Sequence, residues 1–234
     1  MKTYALRLAD DALVLSQQLG LWITRAPELE EELALTNIAL DLLGQARALL
    51  RRAGDEDELA YLRDATGFRN LVLVEQPNRD FAHTMVRQLL FSTFQLARYQ
   101  ALVECDETIA GVAVKAVKEV AYHRHHAAQW VLRLGDGTAE SHQRTAEALA
   151  SLWPFTHEMF LGDEIDRAVG VDPATLRDNW LAYVEQVLHD ATLKIPGDVQ
   201  PCPTGGREGR HTPALVDLLA DMQSLYRAHP GASW

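Results

Sequence analysis

The sequence predicts an all-α fold, a bundle of five or six long helices, and three observations carry that reading. Apolar residues recur at alternating steps of three and four through most of the chain, the period of a helix that buries one face. The nine prolines and fourteen glycines of the 234 residues fall mostly between those segments. A single strand-like run, Leu71 to Val74, stands alone, so an extended or short helical linker suits it better than a sheet. Short connectors between long helices favour antiparallel packing about one core. Residues 1–234 are therefore expected to form a single domain, with a loop over 195–211 and a last helix over 212–228 packed on it.

The elements follow in order. Residues 3–20 place Leu6, Ala9, Leu13 and Ser16 on one side, and Gly20 is a stop. Pro27 opens a second helix running to about Ala53, its first turn rich in glutamate, which suits the positive end of the helix dipole. Its inward stripe is Leu35, Ile38, Leu42, Gln45 and Leu49, with Asn37 and Asp41 on the adjoining row. After an acidic connector, 58–62 adds a turn or two. Asp80 caps a third helix to about Val103, and a break near Cys105-Asp106 precedes a fourth. Gly135-Asp136-Gly137-Thr138 is a turn. A helix over 139–160 carries Pro154, which predicts a kink or break. Asp172-Pro173 starts another helix to about Leu193, and Thr212-Pro213 opens the last, ending near His229-Pro230.

A hydrophobic content of 47% suffices for a sizeable core, and the net charge of −11 argues against nucleic acid, which requires clustered cations. Apolar runs of about four to six residues predict no membrane span. The start, MKTYALRLADD, lacks the pattern of a secretory signal, and two cysteines, Cys105 and Cys202, make no disulfide framework. A cytoplasmic protein with reduced thiols is expected.

The most informative stretch is Ile109 to Leu134. Its apolar stripe is Ile109, Val112, Ala116, Val120, His123, Ala127, Trp130 and Leu134, which turns Val120 and His123 inward and leaves Glu119 on the flank beside Lys115. In ferritin-like bundles, di-iron sites are built from carboxylate-x-x-His pairs on facing helices. Here the position three before His123 is Val120: the stripe keeps the histidine and lacks the carboxylate. The expected fold is thus a ferritin-like helical bundle with additional C-terminal helices, without the iron. The densest histidine group, His123, His125 and His126 with Glu119 one turn before, admits two readings: a surface or hydrogen-bonded structural role, or a metal site. The segment Thr204 to Thr212, Gly-rich and basic before a helix start, likewise admits a docking loop or an anion contact. No Gly-x-Ser-x-Gly or phosphate-loop motif occurs.

Five segments together, LRLADDALVLSQQLGLW, RAPELEEELALTNIALDLLGQARALL, NLVLVEQPNRDFA, KAVKEVAYH and TGGREGRHT, resemble the C subunits of bacterial phenylacetyl-CoA epoxidases, the ring-1,2-epoxidising monooxygenases of phenylacetate breakdown. The resemblance spans essentially the whole chain in the same order. It implies a non-catalytic structural chain with no cofactor of its own, partnered by a homologous A subunit that carries the di-iron centre. It also implies contact, through that subunit, with the other epoxidase subunits and the reductase. The A subunit's motifs resembling Glu-Ala-Gly-His and Glu-Ser-Phe-His fall here on Leu42 to Gln45 and Val120 to His123, so both glutamates have become aliphatic and one histidine has become Gln45.

Three function classes stand beside each other: a scaffold for a catalytic subunit, a ferritin-like di-iron oxygenase or ferroxidase in its own right, and a helical adaptor unrelated to oxygen chemistry. A scaffold should present an apolar interface, and should form a homodimer when alone. Interface candidates are Trp22, Phe91, Phe94, Trp153 and the loop Gly205, Gly206, Arg207 and His211. The alternative for each aromatic is that it completes this chain's own core.

Overall fold

The computed structural model of the chain describes residues 1–105, 107–197 and 204–232. The protein is all-α, as the periodicity predicts: the described residues contain helices and turns and no strand. Its two long helix pairs are those a ferritin-like bundle requires. The chain divides into two compact units, Met1–Pro77 with Gly205–Trp234, and Asn78–Thr204.

The first unit is built on α1 (Lys2–Gly20) and α2 (Leu29–Ala53), joined by a short connector. Helix α2 follows its predicted stripe: Leu35, Ile38, Leu42, Gln45 and Leu49 are all buried. Helix α1 does not. Leu6 is half-buried, while Arg7, Asp10, Asp11 and Gln18 are buried beside the apolar residues. The reason is that α1 is covered on a second side by the segment following α2. Leu71–Val74 lies there as buried turns, its Leu71 N–H donating to Asp11 at 2.8 Å rather than to a neighbouring strand. Helix α8 (Pro213–Ala228) completes this unit, with Gln223 donating to the carbonyls of Ala60 and Arg63 at 2.9 and 3.0 Å. By length and composition alone α2 could cross a membrane, as can a core helix of a helical bundle.

The second unit is built on α3 (Phe81–Cys105) and α4 (Glu107–Gly135). Asp80 caps α3 as predicted, accepting from the His83 N–H at 2.8 Å. Helix α5 (Ala139–Leu152) stops before Pro154, and Trp153–Phe160 continues as tighter 3-10 turns, since the proline ring blocks an α-helical interior. A short helix not anticipated from the sequence, α6 (Glu164–Val169), is closed by a capping box on Asp163 and by Gly170 at φ 84°. Asp172 and Pro173 open a 3-10 turn that becomes α7 (Arg177–Asp190), so the regular helix is shorter than the predicted 172–193. The Trp180 indole donates to the Leu90 carbonyl at 2.9 Å, tying α7 to α3. The predicted loop 195–211 falls partly, with Cys202, outside the described residues.

Candidate functional site

The four positions where the family resemblance implies replaced metal ligands are all interior. On α2, Leu42 is 0% and Gln45 4% exposed; on α4, Val120 is 0% and His123 1% exposed. Each pair sits one turn apart on its own helix's inward stripe, and neither Gln45 nor His123 lacks a partner. Glu119 lies on the flank, where Lys115 meets it at 3.1 Å. Asp41 is half-buried and Asn37 exposed. His125 is exposed and His126 half-buried, so the three clustered histidines point in different directions. Among the described residues no group of three or more His, Cys, Asp or Glu is arranged to hold a metal ion. A di-iron centre does not fit such a donor set, because two buried cations require several carboxylates for neutralisation.

The concentrated polar chemistry lies elsewhere, in the first unit, around three acidic side chains that are 0% exposed. Asp10 accepts from both arms of the Arg63 guanidinium, at 2.6 and 3.0 Å, and from the Arg69 N–H at 2.8 Å. Burial raises the Asp10 carboxyl above its ordinary range, with Arg63 pulling it back. Asp11, its neighbour on α1, accepts from Arg207 at 3.1 and 2.8 Å. The same guanidinium donates to the carbonyls of Arg7 and Arg69 at 3.1 and 2.7 Å. Glu75 accepts from Asn70 at 2.9 Å and from the Thr212 N–H at 2.6 Å, and meets the His211 ring at 2.7 Å.

The loop read from sequence as a docking or anion-binding element is therefore already engaged. Its Arg207 and His211 are held by Asp11 and Glu75, and the anion at the start of α8 is the Glu75 carboxylate of the chain itself. Gly205 and Gly206 are buried. Gly209, at φ 83°, passes so close to Thr66 that a Cβ would stand 2.3 Å from its carbonyl oxygen. Sequence reasoning missed Asp10, Asp11 and Glu75. The available signal was their position inside otherwise apolar runs, where a buried acid requires a partner.

Of the aromatic candidates, Phe91 and Phe94 are 0% and 1% exposed and complete this chain's own core, Phe94 meeting Phe160 edge-on at 5.6 Å. Trp22 is half-buried in the α1–α2 connector. Trp153 is half-buried and lies against Trp180 at 5.7 Å, lining a cleft of about 190 Å³ with Pro154, His157 and Arg177.

The chain is 47% identical over 246 aligned residues to the C subunit of the 1,2-phenylacetyl-CoA epoxidase of Escherichia coli (strain K12), covering 100% of this chain and 99% of that protein. Residues 1–234 match the family of phenylacetic acid catabolic proteins from end to end. An all-α chain with these two long helix pairs and full-length similarity of this degree is a member of the phenylacetic acid catabolic protein family.

Proposed function

We propose that this chain is the non-catalytic structural subunit of a multicomponent phenylacetyl-CoA 1,2-epoxidase, binding and stabilising a homologous di-iron catalytic subunit in aerobic phenylacetate degradation. The observation that supports it most is the aliphatic character of Leu42 and Val120, both fully buried where a ferritin-like di-iron protein would carry carboxylates. On this reading the chain holds no cofactor, reaches the remaining subunits and the reductase through the catalytic subunit, and works in the cytoplasm.

The test is expression in iron-rich medium, alone and with the catalytic subunit. Alone, the chain should contain far less than one iron and show no epoxidation. Together, the two should form a complex with equal numbers of both chains that oxidises phenylacetyl-CoA. Elemental analysis near about two irons per chain, or a catalytic subunit equally soluble and active without this chain, would overturn the proposal.

A further inference from the structure

Helix α2 buries one face, and on the opposite face it leaves two leucines exposed. Opposite the buried stripe, Glu30, Leu33, Asn37, Leu40, Gly44 and Arg47 are all exposed, at alternating steps of three and four. That is the seam spacing of helices packed side by side. Leu33 is 57% and Leu40 59% exposed. These outward leucines explain why an 18-residue window of α2 is apolar enough for a membrane span while 44% of it is buried.

Gly44 is unexplained by the chain's own packing. A Cβ there would meet nothing within 4 Å, and its φ is not positive. A glycine in the middle of an exposed helix weakens it. A neighbouring helix approaching closely is what would use the missing side chain.

The charges on the seam identify the neighbour. Glu30 lies at its acidic end and Arg47 at its basic end, with no charged residue between them on that face. We propose that this seam is a two-fold interface with a second copy of the chain, α2 packed antiparallel on α2 about a centre between Ile38 and Ala39. The pattern is palindromic about that point, so one register sets Leu33 over the partner copy's glycine, Leu40 against its asparagine, and Glu30 beside its arginine. Parallel packing would instead stack Glu30 on glutamate and Arg47 on arginine, which is repulsive. Arg47 holds Glu56 at 3.3 Å yet remains 57% exposed in its side chain, so it can serve both. The exposed Leu29, the first residue of α2 and one turn before Leu33, extends the patch. One helix pair by itself falls below the about 1,200–2,000 Å² of a stable interface, so a reversible dimer is expected rather than an obligate one. The inference does not rest on the epoxidase reading.

Sedimentation velocity on the full chain, from about 1 to 100 μM, should show a reversible monomer–dimer equilibrium. Leu40→Asp should shift dissociation at least ~10-fold, with helicity kept at dilutions where both proteins are monomeric, because Leu40 is exposed in the single chain. Gly44→Leu should also weaken association, although it adds apolar surface. Glu30→Lys and Arg47→Glu should each weaken it, and the double variant should restore it. The proposal is overturned by a wild-type chain monomeric throughout that range. It is equally overturned by a dimer indifferent to Leu40→Asp, by tighter association of Gly44→Leu, or by no recovery in the double variant. Should Leu40→Asp instead abolish binding to a di-iron homologue while the wild-type chain alone stays monomeric, the face belongs to that partner and the two-fold assignment is wrong.

Discussion

Replacing Arg207 by methionine keeps the aliphatic stem and removes the guanidinium that reaches across the first unit. The loss comprises two bonds to Asp11, at 3.1 and 2.8 Å, and two to the carbonyls of Arg7 and Arg69. The Asp11 side chain is 0% exposed and that of Arg207 17%. Water therefore cannot readily take the departed partner's place. Breaking such a buried pair costs about 3–5 kcal/mol, against about 0–1 kcal/mol for a pair in solvent. If the chain unfolds cooperatively, the melting temperature should fall by roughly 10 °C. Urea denaturation of wild type, Arg207→Met, Asp11→Asn and the double variant closes a cycle, and the coupling between the two side chains should be about 1.5–3 kcal/mol. A loss below about 1 kcal/mol in Arg207→Met would refute the reasoning, since that is what a solvated contact gives.

Two further predictions concern other sites. His83 is 4% exposed, and burial together with the Arg87 and Arg79 guanidinium groups holds its pKa down to about 4. The unfolded chain therefore binds a proton that the folded chain refuses between pH 6.5 and 4. Stability should fall by about 2 kcal/mol as pH drops through that window, and His83→Leu should flatten the dependence in urea titrations at several pH values. Gly209→Ala combines a left-handed backbone at φ 83° with a Cβ 2.3 Å from the Thr66 carbonyl oxygen, and should destabilise by about 2 kcal/mol or more by calorimetry. A neutral substitution would show that the 205–212 segment does not dock on 66–75.

Much of the candidate site was legible because inward positions on a helix are a property of local spacing. Counting steps of three and four placed Leu42, Gln45, Val120 and His123 inside, and all four are buried. The caps at Asp80 and Asp172 and the break at Pro154 were equally local, each fixed by the backbone chemistry of one or two residues. The second buried side of helix α1 was not legible, for the opposite reason. Its burial on a second side depends on Arg69 and Leu71, whose N–H groups meet Asp10 and Asp11 about sixty residues along the chain.

The sequence by itself determined the all-α class and the inward phases of α2 and α4, because helical periodicity suffices for those, while the reading of Leu42 and Val120 as replaced carboxylates came from the family resemblance. Only the tertiary structure decided what Asp10, Asp11 and Glu75 do. An acid at an interior position specifies that a partner is needed, and not which of twenty-two basic residues supplies it. The Arg207 to Asp11 bond, spanning 196 positions, exists because folding brings the C-terminal loop onto α1. The same holds for Leu33, Leu40 and Gly44. Their spacing was in the sequence, but that they lie uncovered is a fact about which faces the folded chain leaves in water.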